Sequence, residues 1–144
     1  MGTRGHRVTP PAWTAAALSV GVLGAVCPAP AAAQEPVGRH VRYVVTAEQP
    51  TKADIYYRDT EPANWADYSH NPYVFSPKAE VSIGPDQPWV LDVLLLDPAR
   101  WAMVTATNGQ AQDRPNFRCE LTVDGEVVAE HQGPKGALCS LRHW

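Results

Sequence analysis

Apolar and polar residues alternate along much of the chain beyond residue 40, and this alternation is typical of β-strands with one buried face. The clearest example is residues 117–123, whose odd-numbered positions are Phe117, Cys119, Leu121 and Val123. The even-numbered positions there are Arg118, Glu120 and Thr122. Because successive side chains of a strand point to opposite faces, we expect the first set in a core and the second set in solvent.

Further strands are predicted in residues 40–47, 53–58, 80–83, 89–96, 101–107, 126–131 and 137–141. The most apolar of these is 89–96, which is predicted to be a central strand. Its core-facing residues are expected to be Leu91, Val93 and Leu95. Asp92 is expected on the opposite face, either at an edge or paired.

Residues 61–77 contain three prolines and predict a long loop, with an optional short strand at residues 73–75. No window of the chain shows a sustained helical period with caps. About seven or eight short strands therefore favour an all-β fold, an antiparallel β-sandwich of the immunoglobulin-like kind.

The pair Asp124-Gly125 predicts a tight hairpin. This pair supplies the positive φ angles of a two-residue type I′ turn, which matches the twist of paired strands. The expected cross-strand partners are Val123 with Glu126, Thr122 with Val127, and Leu121 with Val128.

Residues 1–33 are predicted to be a cleavable signal peptide. Two arginines form a basic start, residues 12–26 are uncharged and mostly apolar, and small residues follow up to Ala33. The apolar run is shorter than the roughly 17 residues that a membrane-spanning helix needs. A retained membrane anchor and a lipid-modified cysteine are the alternatives. With cleavage, residues 34–144 form one exported domain, secreted or held in the cell envelope.

Of the three cysteines, Cys27 is expected to leave with the leader. Cys119 and Cys139 remain, in a compartment where a disulfide persists, and we expect them to pair. The bridge would join the hairpin to the last strand. Closing such a loop removes roughly 3 kcal/mol of unfolded-state conformational freedom in the chain-entropy model.

Loss of the leader leaves 10 basic and 15 acidic residues, a net charge of −5. Because nucleic-acid binding depends on clustered Lys and Arg, nucleic acid is not expected as a partner. Electrostatic attraction to anionic lipid is not expected for the same reason. We also expect no stable membrane insertion after leader cleavage.

Several segments carry a resemblance to a known family. They are VRYVVT at residues 41–46, ADIYY at 53–57, the pair Pro88-Trp89, and C-x-L-T-V-D-G-E-V at 119–127 with Cys139 beyond it. In this order they resemble the MmpS family of mycobacterial envelope proteins. The resemblance implies a non-enzymatic accessory role beside an MmpL-type exporter of lipids or siderophores, with that transporter or a lipid-like cargo as partner. MmpS proteins keep an N-terminal transmembrane helix, whereas a cleavable leader is predicted here.

Catalytic and metal-binding motifs are scarce. No serine lies in a G-x-S-x-G pattern. The histidines of the mature chain have no metal-ligand spacing; they are His40, His70, His131 and His143. We therefore expect no enzymatic activity, no metal and no cofactor.

Four aromatic residues in the predicted loop are the candidate binding surface. They are Trp65, Tyr68, Tyr73 and Phe75. Aromatic side chains provide a large contact area at a low cost in conformational entropy, which favours contact with a partner or ligand. The alternative is that the loop folds back and covers one end of the sandwich. Beside the accessory role, the second functional hypothesis is a freely secreted module that binds a protein, lipid or carbohydrate through this loop.

Overall fold

The computed structural model of the protein describes residues 37–143. The predicted leader and its cleavage site lie outside the described residues. The strands within them are β1 (Arg39–Ala47), β2 (Thr51–Tyr57), β3 (Lys78–Ile83), β4 (Trp89–Leu95), β5 (Met103–Thr107), β6 (Phe117–Val123), β7 (Glu126–Gly133) and β8 (Gly136–Ser140). The helical elements are α1 (Trp65–His70), α2 (Pro98–Trp101) and a 3-10 helix at Pro72–Phe75. Between residues 37 and 143, no helix is long and apolar enough to cross a bilayer.

The strands form two antiparallel sheets of four, in the orders β4-β1-β6-β7 and β3-β2-β5-β8. This arrangement confirms the predicted antiparallel β-sandwich. The inward-facing side chains of both sheets meet in one buried cluster, to which Val41, Tyr43 and Leu121 contribute from one sheet and Ile55 and Val104 from the other. The strictly alternating burial of β1 is the pattern that its sequence predicts.

A disulfide between Cys119 and Cys139 joins the two sheets, as predicted. Cys119 lies on β6 opposite Val45, and Cys139 lies on β8 opposite Val104. Both cysteines are fully buried within the core. The bridge therefore closes the sandwich covalently from within.

The predicted hairpin forms at Asp124 and Gly125, whose φ angles are 51° and 84°. The first two predicted cross-strand pairs are correct. The third is wrong, because a bulge follows and Leu121 faces Ala129 instead of Val128. Thr122 was expected in solvent but is only 8% exposed.

Strand β4 lies at the edge of its sheet and not at its centre, which corrects the prediction. Its apolar residues on both faces suggested full burial, yet the outward-facing Val90 and Leu94 remain exposed. Asp92 is paired, since its carboxylate lies 3.1 Å from His40 Nε2 and 3.2 Å from Arg42 Nη1.

The segment between β2 and β3 is more ordered than a loop. Residues 73–75, the optional strand, lie instead in the 3-10 helix, because Pro72 fixes a helical φ at its first position and cannot donate to a sheet. Trp101, predicted to begin a strand, ends helix α2. These helical turns cover one end of the sandwich, where the candidate site lies.

Candidate functional site

The candidate site lies at one end of the sandwich, which we call the aromatic end. Strands β2, β4, β6 and β8 end there, and β1, β3, β5 and β7 begin there. The connections at this end include residues 58–77 and 96–102, and residues 141–143 follow β8. The segment with the four predicted aromatic residues therefore lies beside the turn after β4 and the end of the described chain.

Helix α1 begins at Trp65 because the side chain of the preceding Asn64 caps it. Asn64 Oδ1 accepts a hydrogen bond from the backbone N–H of Asp67 at 3.0 Å, and Asn64 Nδ2 donates to Asp67 Oδ2 at 3.0 Å. Ser69 Oγ donates to the carbonyl of Trp65 at 2.8 Å. The cap places Trp65 at the first helical position and Tyr68 one turn later, so both rings lie on one side of the helix.

Helix α2 begins in the same way. The Asp97 side chain accepts a hydrogen bond from the backbone N–H of Arg100 at 3.2 Å, and Pro98 occupies the first turn. The backbone N–H of Asp97 donates to Glu61 Oε1 at 2.6 Å. This last bond ties α2 to the segment that leads into α1.

Three aromatic rings form a cluster between the two helices. The indoles of Trp65 and Trp101 stack with their centroids 6.2 Å apart and an interplanar angle of 18°. The ring of Tyr68 lies 5.1 Å from Trp65 and 5.8 Å from Trp101. Trp101 is 3% exposed and Trp65 is 48% exposed, so the cluster passes from the core to the surface.

Two arginines lie against these rings. The guanidinium of Arg58, which is fully buried, lies 4.6 Å from the Tyr68 centroid and 5.6 Å from that of Trp101. Its Nε donates to the Trp101 carbonyl at 3.3 Å. The guanidinium of Arg142 lies 4.1 Å from the Trp65 centroid. Both are cation–π contacts, which are strongest where water is excluded.

The base of the cluster is fixed from within the core. The hydroxyl of Tyr43 donates to the carbonyl of Arg58 at 2.8 Å, and the Arg58 N–H donates to the Met103 carbonyl at 3.0 Å. Burial raises the pKa of the Tyr43 phenol well above its usual value. Tyr43 therefore stays protonated and acts as a permanent donor.

An open pocket of about 510 Å³ lies beside the cluster. Its lining residues are Trp65, Asp97, Ala99, Arg100, Trp101 and Arg142. The guanidinium of Arg100 reaches Asp97 at 3.9 Å across an exposed surface, so this ion pair is weak. The pocket thus combines aromatic surface with cationic groups and one carboxylate.

The four predicted surface residues divide into two groups. Trp65 and Tyr68 join the cluster, whereas Tyr73 and Phe75 lie in the 3-10 helix, with Tyr73 82% exposed and Phe75 half-buried. The sequence prediction missed Arg58 and Arg142, which are distant from α1 in sequence. Asp97-Pro98 was the available signal for α2, since Asp before Pro is typical of a helix start.

Away from the aromatic end, the described residues form no metal site, and a second binding pocket is smaller. Among residues 37–143, no three His, Cys, Asp or Glu side chains are placed to hold a metal ion. A smaller opening of about 340 Å³ lies over the outer face of β2 and β3, lined by Lys52, Asp54 and Glu80 among others. Two of its carboxylates, Asp54 and Glu80, are paired with the neighbouring Lys78.

The family model of the Rv2576c beta-sandwich domain matches residues 43–139. The chain belongs to this family. Two relatives are the uncharacterized proteins Rv2576c of Mycobacterium tuberculosis H37Rv and Mb2606c of Mycobacterium bovis. Each is 35% identical over 138 residues, which cover 96% of this chain and 88% of the relative. No solved structure matches the chain.

In this chain, the Rv2576c beta-sandwich domain extends from Tyr43 on β1 to Cys139 on β8. It therefore includes both cysteines of the bridge, the two helices and the stacked tryptophans, but not Arg142. The resemblance to MmpS proteins stays a prediction beside this membership.

Proposed function

We propose that this member of the Rv2576c beta-sandwich family is an exported, non-enzymatic cell-envelope protein that acts by binding. In the proposed role it is an MmpS-like accessory of an MmpL-type exporter of lipids or siderophores. The pocket at the aromatic end is its contact surface, for the transporter or for a lipid-like cargo.

The observation that carries this proposal is the composition of the pocket. Trp65 is half-exposed yet held in place by stacking on the buried Trp101, so its exposed part is already ordered. Arg100 lies in the same pocket with its side chain 61% exposed. Tryptophan and arginine are among the residue types that dominate binding energies at protein interfaces, and an indole that is already ordered loses little entropy when it is covered.

The envelope setting is supported by the disulfide. A bridge between two sheets persists only where the surroundings are oxidising, as they are outside the cytoplasmic membrane. A predicted leader at the start of the chain and relatives from mycobacteria agree with that setting.

The MmpS-like role is supported by the most specific part of the resemblance. The C-x-L-T-V-D-G-E-V segment at residues 119–127 forms the hairpin between β6 and β7, and its cysteine forms the bridge to Cys139. The segment therefore holds together the part of the sandwich opposite the edge strands β3 and β4.

Crosslinking in living cells tests the proposal. A photoreactive residue in place of Ala99, inside the pocket, should yield a specific adduct with an MmpL-type transporter or an exported lipid. The adduct should be lost with Trp65→Ala and Arg100→Glu together. The matched control is Val90→Ala with Lys52→Glu, which makes the same kinds of change at exposed sites outside the pocket. An adduct that survives in the Trp65 and Arg100 variant would show that the pocket is not the contact surface.

The second candidate is a freely secreted binding module. The predicted cleavage after Ala33 favours it, because a free domain lacks the high effective concentration that a shared membrane gives. Mass spectrometry of the native protein separates the two roles. A start at Gln34 in culture fluid supports secretion, whereas a retained N-terminus in the membrane fraction supports the accessory role.

A further inference from the structure

Exposed apolar side chains are concentrated at the aromatic end. Ten large apolar side chains are exposed within residues 37–143. Seven of them lie in connections at this end or within one residue of the strand ends there, and Val37 lies just before β1 at the same end. These eight are Val37, Trp65, Tyr73, Val74, Leu94, Leu96, Val127 and Leu141. Scattered exposed apolar residues need no explanation, but a concentration at one end indicates a contact surface.

Two of the exposed aliphatic residues of this end are leucines that lie on β4 and just after it. Leu94 is 67% exposed and faces outward opposite His40 on β1. Gly38 lies against Leu94, and a Cβ built on Gly38 would approach the Leu94 Cβ at 3.2 Å. Because Gly38 has no side chain, it leaves Leu94 uncovered, and Leu96 beyond it is 55% exposed.

The residue types at this end are those found at the interface of a lipid bilayer. Trp and Tyr favour the headgroup region, where their rings are partly dehydrated and their polar atoms stay wet. Arginines such as Arg100 can extend a long apolar stem along lipid while the guanidinium remains near phosphate. The two leucines supply side chains that can enter the acyl region.

Only a short stretch of sequence separates Val37 from the apolar run of the predicted leader. Val37 is the first described residue, and the sequence before it contains the uncharged apolar run at residues 12–26. Only residues 27–36 separate that run from Val37, and ten residues reach at most about 36 Å when fully extended. This stretch is short enough for the aromatic end to reach a bilayer with which the predicted leader, or a retained anchor, is engaged.

Two carboxylates beside the aromatic cluster are engaged by backbone N–H groups. Asp97 accepts a hydrogen bond from the N–H of Arg100, and Glu61 accepts one from the N–H of Asp97. Both acids are thus hydrogen-bonded to the backbone and can remain at the level of the headgroups. The acidic balance of the mature chain means that apolar insertion, and not attraction to anionic lipid, supplies the affinity.

We infer that the aromatic end docks on the surface of a phospholipid bilayer, inserting Leu94, Leu96 and the exposed part of Trp65 between the headgroups. This contact goes beyond the proposed function because it needs no transporter and no cargo. It orients the domain with β4 and α2 toward the membrane and leaves the opposite end exposed.

Quenching of tryptophan emission by brominated lipid tests the inference with the purified full chain. Vesicles of phosphatidylcholine brominated in the acyl chains should quench the wild-type emission. Trp65→Phe should remove the larger part of the quenchable emission. Trp89→Phe is the matched control, because Trp89 is half-buried against Tyr57 and should contribute little to the quenching. All proteins compared carry Trp13→Phe and Trp144→Phe, so that no indole of the leader or of the C-terminus contributes to the quenching.

A second pair of variants tests the leucines. Leu94→Asp with Leu96→Asp should raise the vesicle concentration for half-maximal Trp65-dependent quenching about tenfold or more, since two apolar side chains no longer insert. Val90→Asp with Leu138→Asp, at the two exposed apolar sites away from this end, should change it little. Thermal unfolding of all variants confirms that they are folded.

Two outcomes would overturn the inference. One is a failure of Trp65-dependent quenching, seen either as equal quenching in the Trp65→Phe and Trp89→Phe variants or as no quenching of the wild-type protein. The other is a stable dimer in sedimentation that Leu94→Asp with Leu96→Asp dissociates, without Trp65-dependent quenching, because a second copy would then cover this end. Neither outcome bears on the crosslink to a transporter, since the vesicles contain no other protein.

Discussion

The indole of Trp65 stacks on that of Trp101 with 6.2 Å between the ring centroids, although the two residues belong to different helices. Trp101 is buried and Trp65 is half-exposed. The indole of Trp101 therefore packs in the interior, and the indole of Trp65 packs on it at the surface. The stack fixes α1 against the sandwich, and it presents a rigid aromatic surface beside Arg100.

The two members of the stack should differ in their contribution to stability. Trp65→Ala together with Tyr73→Ala should lower the free energy of unfolding by about 1–2 kcal/mol, nearly all of it from Trp65, because Tyr73 is 82% exposed. Trp101→Ala, which opens a cavity, should cost about 3–5 kcal/mol. Urea unfolding of the double variant, of Trp65→Ala alone and of Trp101→Ala measures these differences. If Trp65→Ala proved as costly as Trp101→Ala, Trp65 would serve mainly to cover the end of the sandwich.

The strands and the hairpin could be predicted because local rules decide them. Alternation of apolar and polar residues identifies the buried face of β1. Asp124 and Gly125 readily adopt the two positive φ angles that a type I′ turn requires. The pairing of Cys119 with Cys139 could be predicted because two cysteines, an even count, remain after the predicted leader. Each of these signals is either contained in a few neighbouring residues or, for the disulfide, given by the number of cysteines.

Features that depend on distant segments could not be predicted. The edge position of β4 is set by which strands lie beside it, and the bulge after Leu121 by the fit of β7 to the core. Arg58 and Arg142 join the aromatic cluster only because β2 and β8 end at the same place. Only the cap residues Asn64 and Asp97 gave local evidence of the helices that carry the site.

The hydroxyl of Tyr43 should contribute to stability in a manner that depends on pH. Tyr43→Phe removes the hydrogen bond to the Arg58 carbonyl and should cost about 1 kcal/mol at neutral pH. Burial raises the pKa of Tyr43 in the folded protein above its ordinary 10.0, so the folded state holds this proton more tightly than the unfolded state. The stabilisation is complete below pH 10 and is lost as the pH rises further.

Stability curves of the wild type and Tyr43→Phe should therefore converge above pH 10, because only the wild type must keep a buried phenol protonated. Chemical unfolding between neutral and alkaline pH measures this difference. Tyr73→Phe, at an exposed position, is the control and should follow the wild type throughout. Parallel curves for wild type and Tyr43→Phe would contradict the assignment of the buried proton to Tyr43.

Asp124 should make the hairpin sensitive to acid. Its carboxylate accepts hydrogen bonds from Arg39 Nε at 2.8 Å and from the His40 N–H at 2.9 Å, and these hold its pKa below the ordinary 3.8. A lowered pKa means that the stabilisation is present above pH 3.8 and is lost as the pH falls through the folded-state value. Asp124→Asn tolerates the positive φ and should flatten the acid limb of the stability curve.

Glu126→Gln is the matched control for that experiment, since it removes an exposed carboxylate at the same turn. Chemical shifts of the His40 amide across an acid titration report the bond directly. The assignment fails if the His40 amide shows no titration near or below pH 3.8, or if Glu126→Gln flattens the acid limb as much as Asp124→Asn.

The disulfide should be the largest single covalent contribution to stability. Cys119→Ala with Cys139→Ala should lower the free energy of unfolding by about 3 kcal/mol, because the unfolded chain is no longer closed between residues 119 and 139. Cys119→Ser with Cys139→Ser should cost more, since both positions are buried and the hydroxyls must be dehydrated. Urea unfolding of both double variants separates the covalent effect from the polar one. Alkylation of the folded, unreduced protein should leave both cysteines unlabelled, and peptides labelled at Cys119 and Cys139 would show that the bridge does not form.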